Sequence, residues 1–126
     1  MPEWIDGFTH LTVEPAEFGS RAVPVEVAAS YRARTRGLLG RDGIEGVMLL
    51  TPAGSVHTFG MRFPIDVAYL SRDMRVLAVR TMPPHRLGRP RATARHVLES
   101  AAGAMARWGL REGARVRIPP VVPGPG

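Results

Sequence analysis

The side chains best suited to chemistry in this sequence are His57, Asp66 and Glu99. Asp66 and Glu99 each stand in a mostly apolar stretch, IDVAYL and HVLE. A carboxylate in such a stretch must be hydrogen-bonded, paired or exposed, because burying it alone costs on the order of several kcal/mol. Histidine titrates near neutral pH, so the three side chains could orient a ligand or take part in acid–base chemistry.

Three arginines are candidate partners for this polar cluster: Arg36, Arg41 and Arg62. We predict that they complete a site for a ligand or a protein partner. The opposing interpretation is structural, with Asp66 paired to an arginine of residues 32–41 and Glu99 capping the helix that follows it. A third interpretation is a small hydrolase-like enzyme that uses His57, Asp66 and Glu99.

The net charge of +6 is confined to one part of the 126-residue chain. Residues 72–96 hold seven arginines and one aspartate, which accounts for the whole excess, and the chain has no lysine. The basic loop in this segment carries five candidate residues: His85, Arg86, Arg89, Arg91 and Arg95. Guanidinium groups bind carboxylates and phosphates through a planar fork. We therefore expect the loop to form the rim of a site for an anionic small molecule or an acidic protein partner.

Nucleic acid is the weaker alternative for residues 72–96. The segment contains no aromatic residue on which a base could stack, and stacking is a common element of single-strand recognition. The replacement of every lysine by arginine is also typical of a GC-rich genome. We therefore predict that nucleic acid is not the main partner.

Several reaction classes are excluded by composition. The chain has no cysteine, which removes disulfides, thiolate metal sites and iron–sulfur clusters. Without lysine there is no Schiff-base chemistry and no phosphate loop. The four possible oxygen and imidazole metal ligands, His57, Asp66, His96 and Glu99, lack the close spacing typical of a metal site. We predict no metal and no cofactor.

The elements that must position these residues are seven short strands and two short helices. Alternating or continuous apolar residues predict strands at 8–13, 23–29, 46–50, 65–70, 76–81, 96–99 and 114–118. One helix is predicted over 31–39, capped by Ser30 and ended by Gly40, and another over 101–108, capped by Ser100. In strand 65–70, the alternation places Asp66 and Tyr69 on opposite faces.

This pattern predicts a single α+β domain with a strongly bent, barrel-like sheet that is mainly antiparallel. We assign residues 1–22 to an N-terminal extension with a short strand and residues 23–118 to the domain. Residues 119–126 hold four prolines and two glycines, which predicts a flexible tail.

Five segments in this order resemble the bacterial and archaeal family called domain of unknown function 192: TRGLLGR (35–41), GVMLL (46–50), HTFGMRFPIDVAYL (57–70), HVLESAAG (96–103) and GLREGARV (109–116). The resemblance covers about residues 23–118 and implies a compact α+β fold, with Asp66 and Glu99 at positions of the family's pattern. Leu39, Gly60 and Ala114 depart from that pattern. The family brings no established activity.

The N-terminus has no positively charged segment followed by an apolar run, and no window approaches the roughly 20 apolar residues of a membrane span. We therefore predict a small cytoplasmic accessory module that binds a ligand or partner and has no contact with a membrane.

Overall fold

The computed structural model of the protein describes residues 4–15 and 21–123 and is built around a curled sheet of seven strands. The strands are β1 (Gly7–Glu14), β2 (Val23–Ala28), β3 (Val47–Leu50), β4 (Ile65–Leu70), β5 (Val76–Met82), β6 (His96–Ala101) and β7 (Arg115–Arg117). The helices are α1 (Tyr31–Arg36) and α2 (Ala104–Arg107). The strand order is β5-β4-β6-β3-β2-β1-β7, and the β2–β3 pair runs parallel among antiparallel neighbours. The predicted α+β class with a bent, mainly antiparallel sheet is confirmed.

The two ends of this strand order meet and give the sheet its barrel-like shape. The backbone N–H of Val76 donates to the carbonyl of Ala114 at 2.8 Å, and the N–H of Gly113 donates to the carbonyl of Val76 at 2.9 Å. These bonds join the start of β5 to the approach of β7. One apolar cluster contains residues from all seven strands, so it fills the interior of the curled sheet. We call the face toward this cluster the inner face.

The opposite, outer face of the sheet carries a second apolar cluster. Val67, Tyr69 and Val97 belong to it, and they pack with Leu38, which follows α1, and with Met61. The predicted alternation along strand 65–70 is therefore correct. Every residue of β4 is buried because the strand is covered on both faces, which explains why this stretch contains so few polar residues.

Both helices are shorter than predicted. Ser30 caps α1 as expected, because its Oγ accepts a hydrogen bond from the N–H of Ala33 at 3.1 Å. However, α1 ends at Arg36, and Gly37 follows it in the left-handed region at φ 48°, before the predicted end at Gly40. A glycine adopts this conformation without the steric cost that a side chain would add.

The predicted cap of the second helix is wrong. Strand β6 continues to Ala101, which pairs with Ile65 of β4, so Ser100 lies inside the strand. Its hydroxyl donates to the carbonyl of Ala101 at 3.0 Å. Helix α2 starts later, at Ala104, after Gly103 in the left-handed conformation. The structural interpretation of Glu99 as a helix cap is also wrong, because Glu99 lies within β6.

Asp66 holds the first turn of α2 from the neighbouring strand. Its Oδ2 accepts hydrogen bonds from the N–H groups of Gly103 at 2.9 Å and Met105 at 3.3 Å, and its Oδ1 accepts from the Thr81 hydroxyl at 2.7 Å. Asp66 is 4% exposed. The predicted pairing of Asp66 with an arginine of residues 32–41 is therefore wrong. Backbone and hydroxyl donors, not a guanidinium, satisfy this buried carboxylate.

The strand predicted near the N-terminus is present as β1, which lies between β2 and β7. Residues 1–3 and 16–20 of the predicted extension, and residues 124–126 of the predicted tail, lie outside the described residues. The described start of the tail contacts β1, because the Thr9 hydroxyl donates to the carbonyl of Pro119 at 2.9 Å. Within the described residues, no helix is long and apolar enough to cross a membrane.

We expect Asp66→Asn to lower the free energy of unfolding by about 2 kcal/mol, measured by chemical denaturation. The amide keeps one acceptor oxygen but turns an N–H₂ group toward donors on Thr81 or α2. The control is Asp42→Asn, which removes an exposed carboxylate paired to Arg62 at 3.1 Å and should cost less than about 1 kcal/mol. Equal losses in the two variants would contradict the assigned role of Asp66.

Candidate functional site

Glu99 is a buried carboxyl on the outer face of the sheet. It lies opposite Val67 of β4 and Met48 of β3 and is only 5% exposed. Within the described part of the chain, no group donates a hydrogen bond to it and no cation pairs with it. Buried polar side chains nearly always have a partner. Glu99 therefore stands apart from Asp66, whose two oxygens are both satisfied.

A cavity of about 100 Å³ lies between Glu99 and the end of α1. Its apolar lining includes Leu38, Leu39 and Met61, and its polar lining includes Arg36 and His57. We call this space the Glu99 cavity. Since Arg36 and His57 are exposed while Glu99 is buried, the carboxyl forms the floor and the two basic side chains stand near the mouth.

The turn after α1 forms one wall of the cavity beside the carboxyl. A Cβ atom added at Gly37 would lie 4.0 Å from Oε1 of Glu99 and 3.7 Å from the Arg34 carbonyl. The positive φ of Gly37 lets the chain reverse here, so that Leu38 turns back onto the outer cluster. A larger residue at position 37 would strain this turn.

Burial raises the pKa of the Glu99 carboxyl to about 7, from an ordinary value of 4.5. Desolvation is the cause, because the apolar surroundings disfavour the ionised form. Near neutral pH the group therefore holds a proton about half of the time. It can donate a hydrogen bond when protonated and can bind a cation or accept hydrogen bonds when ionised.

His57 is positioned by an aromatic neighbour and by the basic loop. Its ring stacks on Phe59, with ring centroids 5.4 Å apart and an interplanar angle of 24°. Its backbone forms an antiparallel bridge with Leu87. Phe59 is itself half exposed, so the stacked pair stands at the surface and leaves the imidazole accessible to a ligand in the cavity.

The structure brings Glu99, His57 and Arg36 to one cavity but separates the other predicted residues. Asp66 pairs in register with Ser100 and so lies on the inner face, opposite to Glu99. The convergence of His57, Asp66 and Glu99 required by the hydrolase hypothesis is absent.

Two predicted arginines have carboxylate partners away from the cavity. Arg41 makes a two-pronged contact with Glu26, with nitrogen–oxygen distances of 2.8 and 2.7 Å, and Arg62 contacts Asp42. Neither arginine lines the Glu99 cavity. Both arginines form ion pairs within the protein. Of the three predicted arginines, Arg36 is the one that lines the Glu99 cavity.

The basic loop runs over residues 83–94, with Arg95 directly after it, and is fixed against the segment 54–58. Backbone N–H groups of Gly88 and Arg91 donate to the carbonyls of Val56 and Gly54, at 2.8 and 2.9 Å. No loop residue lines the Glu99 cavity. The loop therefore does not form the rim expected from the sequence, and its arginines border a separate groove.

His96 belongs to the inner face and is buried. Its Nδ1 lies 2.7 Å from the Thr51 hydroxyl, and the edge of its ring faces Trp4 at 5.9 Å between centroids. Burial lowers the pKa of the imidazole, with the charge of Arg95 as a smaller cause. Across residues 4–15 and 21–123, no three His, Asp or Glu side chains form a group that could hold a metal.

Comparison with known proteins gives the family. Residues 13–118 match the family model DUF192, described as an uncharacterized ACR. The chain belongs to the DUF192 family. A relative from Pyrococcus horikoshii, UPF0127 protein PH1112, is 32% identical over 84 residues, which cover 63% of this chain and 73% of the relative. The family resemblance predicted from the sequence is thus confirmed.

Two solved structures share the fold of this DUF192 member. A Sinorhizobium meliloti protein described as a "putative transcription regulator" superposes with a TM-score of 0.79 at 21% identity, covering 93% of this chain and 98% of that one. A protein of unknown function from Novosphingobium aromaticivorans gives a TM-score of 0.74 at 24% identity, covering 86% and 83%. At these identities the likeness shows the fold alone.

Glu99→Gln should change how stability depends on pH. A carboxyl whose folded pKa is raised binds more protons in the folded state, so its contribution to stability falls as pH rises from about 4.5 to about 7. The free energy of unfolding of Glu99→Gln relative to wild type should therefore increase by roughly 3 kcal/mol between pH 4 and pH 8. Chemical denaturation across this range measures it.

The control for this measurement is Glu45→Gln, which changes an exposed carboxyl to the same amide. Its difference from wild type should vary little over the same pH range. A Glu99→Gln curve that runs parallel to the wild-type curve would contradict the burial of Glu99 as an unpartnered acid.

Proposed function

We propose that this DUF192 member is a ligand-binding accessory module and that the Glu99 cavity is its binding site. The observation that carries the proposal is the buried, unpartnered carboxyl of Glu99 at the floor of an open cavity. The carboxyl lines the cavity and has no partner within the described residues, so a ligand that donates a hydrogen bond or a positive charge to it meets no competing protein group.

The charge arrangement favours a compact zwitterion of the α-amino acid type. An ammonium group pairs with the ionised carboxyl of Glu99, and a carboxylate pairs with Arg36 and His57 near the mouth. A simple cation would be repelled by the basic mouth, and a simple anion by Glu99. A zwitterion matches both ends of the cavity.

The size of the cavity supports the same ligand class. A volume of about 100 Å³ has room for the equivalent of a few water molecules. This space accommodates an amino group and its adjacent carbon beside Leu38, Leu39 and Met61, while the carboxylate remains at the mouth. Larger ligands must project into solvent past Phe59, which is 50% exposed.

Binding is favoured over hydrolysis because Asp66, the second carboxylate of the enzyme hypothesis, lies on the inner face and is occupied with α2. The cytoplasmic location predicted from the sequence is part of this proposal, since compact amino acids are abundant there. No metal or cofactor takes part in the proposed binding.

The test is calorimetric titration with L-alanine at pH 6 and pH 8. Alanine should bind about tenfold more tightly at pH 8, because at pH 6 the carboxyl with a pKa of about 7 must first lose its proton. The other titratable groups lining the cavity are Arg34, Arg36 and His57. The same titrations are made with His57→Gln, which removes the neighbouring imidazole and should retain the pH effect.

Variants distinguish this site from nonspecific binding. Glu99→Gln should weaken alanine at pH 8 at least tenfold and remove the pH effect, whereas the exposed control Glu45→Gln should bind as the wild type does. Acetate and methylammonium should each bind more weakly than alanine. The proposal fails if alanine and glycine show no saturable binding, or if Glu99→Gln binds alanine unchanged.

A further inference from the structure

A second concave site lies on the other side of the basic loop, between the loop and β5. It has a volume of about 360 Å³. Four arginines line it: Arg80, Arg86, Arg89 and Arg91. We call it the arginine groove, and we infer that it binds a small organic phosphate, a phosphomonoester on an apolar or aromatic body. This inference uses residues separate from the Glu99 cavity and does not depend on the proposed function.

The charge in this groove is not neutralised by the protein. No acidic residue lines it, and none of the four arginines forms an ion pair within the described residues. Among residues 4–15 and 21–123, the guanidinium groups of Arg80 and Arg86 donate hydrogen bonds to the backbone carbonyls of Val79 and His85, at 2.8 and 3.4 Å, and to no carboxylate. Four guanidinium groups around one groove favour a ligand of concentrated negative charge.

Arg91 is held in the groove by an aromatic ring. Its guanidinium carbon lies 4.9 Å from the ring centroid of Tyr69, a cation–π contact that fixes the orientation of the fork. Its Nε–H is buried and has no hydrogen-bond partner, which is rare and unfavourable in a folded protein. An arginine that is oriented but lacks an acidic partner is typical of a site completed by a ligand.

The remaining lining of the groove is apolar and includes Met82, Pro83 and Leu87. Leu87 is 72% exposed, although a leucine on a loop gains nothing from contact with water. An exposed apolar side chain beside a cluster of arginines matches a ligand with an anionic end and an apolar body. This is the second feature that supports an organic phosphate over inorganic phosphate alone.

The fold fixes the shape of the groove, because the basic loop packs closely against Tyr69 and Val56. A Cβ atom added at Gly88 would lie 2.8 Å from the Tyr69 hydroxyl and 2.9 Å from Cγ1 of Val56. Only glycine allows the loop to approach so closely. The backbone bonds from Gly88 to Val56 and from Arg91 to Gly54 then fix the loop at both ends of this contact.

Phosphate fits these observations better than a carboxylate or a nucleic acid strand. A phosphomonoester carries nearly two charges at neutral pH and offers three terminal acceptor oxygens, so it can engage several guanidinium forks at once. A carboxylate engages one fork. The groove has the dimensions of a small-molecule site, and the loop has no aromatic residue on which successive bases could stack.

In the experiment, phenyl phosphate is titrated into the protein, and binding is measured by calorimetry and by changes in the protein's NMR chemical shifts. Phenyl phosphate should bind saturably with 1:1 stoichiometry and more weakly as salt is raised, because added ions screen the arginines. Inorganic phosphate should bind at least threefold more weakly, and phenol should not bind. Absence of saturable binding by phenyl phosphate would overturn the inference.

Charge variants assign the binding to the groove. The double variant Arg86→Ala with Arg89→Ala should weaken phenyl phosphate at least tenfold. The matched control is Arg32→Ala with Arg107→Ala, which removes the same charge from exposed positions on the two helices and should change affinity less than twofold. Equal weakening in the two double variants would show a general charge effect and would refute the groove as the site.

The apolar half of the ligand is tested separately. Leu87→Ser should weaken phenyl phosphate severalfold while leaving inorganic phosphate unchanged, and Val122→Ser, at another exposed apolar residue, should alter neither. Glu99→Gln should bind phenyl phosphate normally, so failure at the Glu99 cavity and failure at the groove are distinguishable. Binding of phenyl phosphate unaffected by Leu87→Ser would reject an apolar subsite.

Nucleic acid is the competing outcome. A short single-stranded oligonucleotide without terminal phosphates should not compete with phenyl phosphate in the low millimolar range. Tighter binding of this oligonucleotide than of phenyl phosphate, lost in the Arg86 and Arg89 double variant, would overturn the small-molecule inference.

Discussion

The register between β4 and β6 determines where each carboxylate of this protein can act. In an antiparallel pair, directly opposed residues share a face and successive residues alternate. Asp66 opposes Ser100, and Val67 opposes Glu99. The two acids are therefore separated by the thickness of the sheet, although both stand on adjacent central strands. A slip of one residue between the two strands would turn one of them over and bring both acids to the same face of the sheet.

This separation gives the two acids different physical roles. Asp66 meets three donors, two of which are free N–H groups at the start of α2, so its charge is stabilised by fixed dipoles. Glu99 meets apolar side chains and an open cavity, so its charge is penalised and its pKa rises. Asp66 supports the fold, whereas Glu99 has no partner within the described residues and lines an open cavity. The arginines show the same contrast. Arg41 pairs with Glu26, whereas the Nε–H of Arg91, in the arginine groove, has no hydrogen-bond partner within the described residues.

The strands were predictable because their signal is local. A period of two, interrupted by glycine and proline, is visible in a window of six residues, and it placed Asp66 and Tyr69 on the correct opposite faces. The helix ends were not predictable from the same kind of window. Ser100 has the chemistry of a cap, but pairing of Ala101 with Ile65 extends β6 past it, and the cap comes from Asp66, 37 positions before Gly103. Each candidate residue could be recognised from its type. Which of them come together depends on which face each strand presents and on the backbone bonds that fix the basic loop to segment 54–58. No local pattern encodes either fact.

The pairing of β1 with β7 joins two strands that lie far apart in the sequence. Val13 faces Val116, and the Thr9 hydroxyl reaches Pro119, 110 positions away in sequence. During synthesis on a ribosome, β1 emerges long before β7 and lacks one of its two neighbours until β7 has been made. Strand β1 therefore presents an unpaired edge until β7 has been made, and such an edge is open to pairing with other chains. Contacts so distant in sequence also form slowly, so the β1–β7 contact closes late in folding, and the edge of β1 is open to misassembly until then.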